Sequence, residues 1–290
     1  MKLLVTGGSG FLGRYVVRQA LDAGHGVLAL ARSPSAAETI VELGAKVLLG
    51  DLDDPESIDE AFSGAEADAL VNVASLGFGH APVIVSAAED AGLRRAVFVS
   101  TTAISTTLPA PSKQVRLAAE ANIRNSELDW TIVRPTMIYG ALGDRNISRL
   151  LVLLRRIPLV PVPGGGRRLQ QPVHVEDLAQ AVLAAVTRDV AIRRSYDVAG
   201  PEPMTFRELL VEAGSAAGRH PRLLSVPVRP TIWALAAYER AATHPRIKTE
   251  QLERLTEDKA FDISSAIRDL DYHPRAFGVG VRAEAAALWG

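Results

Sequence analysis

Thr6-Gly7-Gly8-Ser9-Gly10-Phe11-Leu12-Gly13 stands between a short apolar run and a stretch with helical spacing. A phosphate-binding turn needs that context. Glycines permit the tight bend and let the backbone approach a pyrophosphate, and the N-terminus of the following helix presents unpaired N–H groups to the anion. Gly7, Gly10, Phe11, Leu12 and Gly13 are therefore candidate dinucleotide contacts, with a purely structural turn as the alternative reading.

Outward from this loop, Val- and Leu-rich runs at 3–5, 27–30, 47–49, 69–73 and 97–99 alternate with helical patterns. Such runs fit strands buried on both faces of a parallel sheet. Asp54-Pro55 reads as an N-cap followed by proline in the first helical turn, with Gly64 closing that helix, and Gly44 and Gly92 stand at helix C-caps. The repeated strand–helix order predicts an α/β fold, a Rossmann-type doubly wound parallel sheet over residues 1–145 that also takes elements from 169–200. Beyond about residue 140 the pattern changes. Pro158, Pro161, Pro163 and Gly164-Gly165-Gly166 point to an exposed loop. A helix is expected at 175–186, a strand at 195–198, and a helix at 206–217 opened by a Thr205/Glu208 capping box. Further helices are expected at 231–242, 249–255 and 264–270. Residues 146–290 are thus expected to form a smaller, mostly helical lobe on the substrate side.

The second predicted strand ends in Ala31-Arg32-Ser33. An NAD-selective site would carry Asp or Glu there for the ribose 2′-hydroxyl. A guanidinium instead suits a 2′-phosphate, through forked, charge-assisted hydrogen bonds. Arg32 and Ser33 therefore predict NADP(H) in preference to NAD(H), unless Arg32 is an ordinary surface arginine. Asp51 and Leu52, at the end of the third strand, are candidates to bracket the adenine, with a helix-capping role for Asp51 as the alternative.

Composition narrows the remaining possibilities. The 290 residues are 48% hydrophobic and 22% charged, with a formal net charge of −1. That balance predicts no general attraction to nucleic acid or to an anionic membrane. The absence of cysteine excludes disulfides, thiolate metal sites and a cysteine nucleophile. The apolar run at the N-terminus is too short for a signal peptide, and a cytoplasmic location with a small-molecule substrate is the expectation.

The glycine loop, Asp51-Leu52, Asn72-Val73-Ala74-Ser75, Ser100-Thr101-Thr102, Arg134-Pro135, Tyr139-Gly140 and Pro172-Val173-His174-Val175-Glu176-Asp177 together resemble the short-chain dehydrogenase/reductase superfamily in its extended and atypical branches. These include NAD(P)-dependent epimerases and dehydratases and NmrA-type regulators. The resemblance implies that Gly7, Gly10 and Gly13 form the dinucleotide loop and that Ala74 and Ser75 line the cofactor. It also implies that Ser100 and its neighbours sit beside the nicotinamide, which Pro135 contacts.

The superfamily's usual catalytic pair, Tyr-x-x-x-Lys on one helix face, is missing. None of the tyrosines has lysine four residues later, and four residues before Lys113 stands Pro109. Lys113 remains a candidate to bind the nicotinamide ribose or donate a proton, because its spacing to Glu120 resembles that in isoflavone-reductase-like proteins; a solvated lysine is the alternative. Thr102 is a candidate hydroxyl donor. Tyr139 is read as packing, and His174 and Asp177 as structural. No metal motif is present. Two functions follow as expectations. One is an NADP(H)-dependent oxidoreductase or epimerase acting on a small carbonyl or alcohol substrate, with a nucleotide sugar among the candidates. The other is a non-catalytic NADP(H)-binding sensor or scaffold.

Overall fold

A computed structural model describes residues 1–108, 111–140, 144, 146–241 and 256–290. The first part runs β1 (Lys2–Thr6), α1 (Phe11–Asp22), β2 (Gly26–Ala31), α2 (Pro34–Glu42), β3 (Lys46–Leu49), α3 (Pro55–Ser63), β4 (Ala69–Asn72), α4 (Ala81–Asp90), β5 (Arg95–Val99), α5 (Pro111–Arg124) and β6 (Asp129–Pro135). Then come β7 (Ile138–Tyr139), α6 (Ile147–Arg156), β8 (Leu159–Pro163), β9 (Leu169–Gln170), β10 (Val173–His174), α7 (Val175–Thr187), β11 (Arg194–Val198), β12 (Met204–Thr205), α8 (Phe206–Ala216), β13 (Arg222–Val226) and α9 (Val228–Ala241). Two last helices are α10 (Ser264–Leu270) and α11 (Phe277–Trp289).

Seven strands form one sheet in the order β3-β2-β1-β4-β5-β6-β11, and every neighbouring pair is parallel. Side chains alternate across a strand, so each strand feeds two cores. Leu3 and Val5 of β1 enter the core that includes α1 and α7, while Leu4 enters the one that includes α3, α4 and α5. Val97 and Val99 of β5 likewise join the first, and Ala96 and Phe98 the second. A strand apolar at every position is what such double coverage requires. The caps obey local chemistry. Asp54 accepts from the Ser57 N–H ahead of Pro55, Ser33 does the same for α2, and Thr205 and Glu208 form a reciprocal capping box on α8.

A third core lies among α6, α8, α11 and β8 and includes Leu151, Leu154, Leu209, Val281 and Ala285. Here the structure corrects the sequence reading. The segment around Pro158–Pro163, expected as an exposed loop, contains β8, which pairs in parallel with β13 and buries Val160 and Val162. The Arg222 N–H donates to the Pro158 carbonyl. That register turns the amide positions of 159, 161 and 163 away from β13, so Pro161 and Pro163 cost the ladder nothing. Helices α6 and α11 were not expected from the sequence. The helix expected at 249–255 lies outside the described residues, as does the end of the one expected at 231–242. Among the described residues, no helix is long and apolar enough to cross a membrane.

Candidate functional site

Strand order reverses between β1 and β4, the place where open α/β sheets bind ligands beyond the carboxyl ends of their strands. The two strand ends are bolted together there. The buried Thr6 hydroxyl donates to Asn72 Oδ1 at 2.5 Å, and Asn72 Nδ2 donates to the Ala74 carbonyl at 3.2 Å. Gly7 has a φ of +70°, and a Cβ on it would lie 2.7 Å from the Ala74 nitrogen. A Cβ on Gly13 would lie 2.0 Å from the Gly7 carbonyl oxygen, so the loop admits no side chain at either position. Gly10 starts α1 in extended conformation, and no side chain caps the helix. The first-turn N–H groups are left to the cleft in front of them, which is the chemistry a dinucleotide pyrophosphate requires.

That cleft has a volume of about 230 Å³. Of the residues expected to contact cofactor, it brings together Gly7, Gly10, Phe11, Leu12, Gly13, Ser75, Ser100 and Pro135. Ala74 sits directly behind Gly7. The adenine-side candidates lie outside the cleft. Arg32 is exposed at the end of β2, 3.9 Å from Asp53, while the Ser33 hydroxyl caps α2. Asp51 accepts from the Asp53 N–H at 3.1 Å, and Leu52 packs against the α3–α5 core.

Under the Ser100 side of the cleft lies a buried ionic cluster. Ser100 donates to Glu120 at 2.7 Å, Arg134 grips the same carboxylate through Nε at 2.9 Å and Nη2 at 2.5 Å, and Arg124 adds a contact at 3.1 Å. Burial by itself would raise the Glu120 carboxyl, but the hydrogen bonds from Arg134 and Ser100 and the two positive charges outweigh it and hold it below the ordinary value. With its proton committed to Glu120, the Ser100 hydroxyl offers the cleft only lone pairs.

Neither expected catalytic side chain lines the cleft. Lys113 lies in the first turn of α5 rather than in a loop, and its ammonium donates to the Thr106 carbonyl at 2.5 Å. The Thr102 hydroxyl is buried and donates to the Pro135 carbonyl at 3.2 Å. Thr101, which the resemblance placed beside Ser100, does line it, and so does Arg116, which the sequence reading passed over. Arg116 lies flat against Gly77, where a Cβ would come within 2.8 Å of the guanidinium carbon. Its signal was the spacing Ser112-x-x-x-Arg116-x-x-x-Glu120, which puts all three on one face of α5. Thr101 Oγ1 accepts from the Ala103 N–H at 3.2 Å, so its own proton remains available to the cleft.

In the third core, Tyr139 is fully buried, packs edge-on against His174 and donates to the Phe277 carbonyl at 3.4 Å. Burial pushes its hydroxyl well above the usual range. His174 caps α7 through Nδ1, burial lowers its pKa, and Asp177 pairs with Arg275. These are structural roles. No group of metal-binding side chains occurs among the described residues. Nearby, Glu284 of α11 meets a second carboxyl, Asp144, together with the Ser148 hydroxyl, and accepts from the Gly140 N–H at 3.1 Å. Asp144 in turn accepts from the N–H groups of Asn146, Ile147 and Ser148 at the start of α6.

Comparison with known proteins agrees with this geometry. Residues 7–189 match the NAD(P)H-binding family. The chain is 30% identical to a ceramide reductase of Caulobacter vibrioides over 77% of its own length and 73% of that protein. It is 29% identical to the mitochondrial NADH dehydrogenase [ubiquinone] 1 alpha subcomplex subunit 9 of Arabidopsis thaliana, over 80% of this chain but only 62% of that subunit. Among solved structures, the NAD complex of UDP-glucose 4-epimerase from Thermus thermophilus superimposes with a TM-score of 0.75 over 100% of this chain and 99% of that one, at 20% identity.

Proposed function

The chain belongs to the NAD(P)H-binding family, and from that premise we propose that it is an NADP(H)-dependent oxidoreductase of the extended short-chain dehydrogenase/reductase type, acting on a carbonyl or alcohol substrate. The observation that carries the reading is the cleft itself, where the uncapped N-terminus of α1, Ser100, Thr101, Arg116 and Pro135 converge beyond the strand ends. The first-turn N–H groups of α1 bind the pyrophosphate. Arg32 exchanges its exposed partner Asp53 for a 2′-phosphate. When bound, the nicotinamide supplies or accepts the hydride.

Proton and charge handling fall to residues of this chain. Thr101 donates a hydrogen bond to the substrate oxygen, in preference to Thr102, whose hydroxyl is already committed. Arg116 stabilises negative charge developing on that oxygen; a guanidinium keeps its proton, so Arg116 cannot serve as the acid. The ceramide reductase similarity favours a substrate with a reducible carbonyl.

Fluorescence titration with NADPH and with NADH tests the cofactor assignment. NADPH is expected to bind more tightly, with the preference lost in Arg32→Ser, and equal affinity for both would remove the Arg32 argument. A carbonyl screen read by NADPH absorbance tests the activity. One observation favours a second reading, a non-catalytic nucleotide-binding subunit or sensor. No tyrosine lines the cleft among the described residues, and one relative is a subunit of a larger assembly. Tight NADPH binding without turnover of any carbonyl in the screen would select it.

A further inference from the structure

The net charge of −1 conceals an asymmetry. Residues 1–145 carry 12 Lys and Arg against 17 Asp and Glu, while residues 146–290 carry 20 against 16. Between Glu212 and Glu250 the chain has six Lys and Arg and a single acidic residue, Glu239. Helix α9 lies inside this basic stretch, and nine of its 14 residues are apolar. Such a helix in a folded domain normally buries a stripe against a core. None of the α9 residues whose burial is described is buried, and Trp233 is 79% exposed.

The surface leading into α9 has the same character. Only Pro227 separates the helix from β13. In the β8–β13 pair, Pro161 stands opposite Leu224 and Leu159 opposite Arg222, and all four point outward. Leu159 and Leu224 are each 50% exposed. Arg229 lies in the first turn of α9 and Arg240 in its last.

We propose that α9, together with the outer face of β8 and β13, docks on the surface of an anionic lipid bilayer. The chemistry that fits is a set of exposed apolar side chains, Trp233, Leu159 and Leu224, with the exposed Arg222, Arg229 and Arg240 on the same elements, which seats the tryptophan ring at the headgroup level and sets the guanidiniums against lipid phosphates. A second copy of this chain would bring the same excess of arginines face to face. The helix lies in the interface and does not cross it, since 14 residues span only about 21 Å against a hydrocarbon core of roughly 30 Å. A substrate with a long apolar tail would then reach the cleft from the membrane rather than from water. The docking itself does not rest on the reductase reading.

The test is flotation of the full chain with vesicles of phosphatidylcholine alone and of phosphatidylcholine containing phosphatidylglycerol, at low salt. The chain is expected to float with the anionic vesicles, to stay behind with the neutral ones, and to be released by salt. Combining Trp233→Ser with Arg229→Glu is expected to weaken vesicle binding about tenfold or more while leaving the NADPH titration unchanged. A chain that binds NADPH but ignores anionic vesicles at low salt overturns the docking and leaves the cofactor assignment standing. Equal flotation of the double variant also overturns it. So does a dimer, seen without lipid, that Trp233→Ser returns to monomer.

Discussion

Two glutamates in this chain are equally hidden from water and behave in opposite ways. Glu120, beneath the cleft, is 3% exposed, and Glu284, on α11, is 2% exposed. Glu120 faces two guanidiniums and a hydroxyl donor, and its carboxyl is held below its ordinary value. Glu284 faces Asp144, and burial followed by that second carboxyl pushes it up to about 8. Burial disfavours charge at both sites; the neighbours decide whether the charge forms anyway. The cleft has therefore built a fixed anion into its wall, while the core of α6, α8 and α11 holds a retained proton beside the end of β7.

The sharpest way to break this contrast is Glu120→Leu. It strands Arg134, a largely buried side chain whose other ionic contact is Asp197 at 3.9 Å. A loss of about 3 kcal/mol is expected in urea unfolding, toward the low end for removing one partner of a buried pair. A loss below about 1 kcal/mol would mean that Glu120 is not the anchor of that wall.

Glu284→Gln comes next, with the opposite sign. A carboxyl whose folded value is raised from 4.5 to about 8 holds its proton in the native state after the unfolded chain has released it. The stability this group contributes is fully present at low pH and is lost as pH rises through that window. Glutamine imitates the protonated form. The variant should match the parent near pH 5 and exceed it at pH 9, by roughly 2 to 4 kcal/mol, in thermal melts run across pH. Parallel pH profiles for the two proteins would mean that Glu284 ionises normally.

Ser100→Ala removes one donor to Glu120 and leaves both guanidiniums in place. About 1 kcal/mol of stability should go with it, and a larger loss would give the hydroxyl more weight in the cluster than Arg134. Arg124→Ala should have the smallest effect, under about 0.5 kcal/mol, because its side chain is 38% exposed and Arg134 keeps the carboxylate paired. An effect as large as that of Glu120→Leu would make Arg124 the true partner.

The sheet and its glycine loop were legible because their signals are local. The first five strands are apolar between their ends, each turn carries its own glycine or cap, and Gly13 is demanded by an atom six residues away in the same loop. The third core was less legible because its signals are tertiary. β8 looked like a loop through its prolines, and only the register with β13 explains why they are tolerated. Helices α6 and α11 complete each other's core with α8, and neither was expected alone. The cleft sits between these cases. Lys113 drew attention by residue type, but α5 starts at Pro111, which leaves Lys113 in the first turn and carries Arg116 round to the cleft. Thr101 and Thr102 are adjacent hydroxyls, and only the fold decides that one faces the cleft and the other the Pro135 carbonyl.

The prolines of β8 have a consequence for the protein's behaviour in a crowded solution. A two-stranded sheet leaves an open edge, and an open edge is a template onto which a strand of another molecule can add. Of the three outward amide positions of β8, two are Pro161 and Pro163, which have no N–H to offer. The strand can pair inward with β13, but a stranger arriving from outside finds a row of missing donors. Valines at those positions would suit the β8–β13 ladder equally well and would open a route to aggregation that the prolines keep shut.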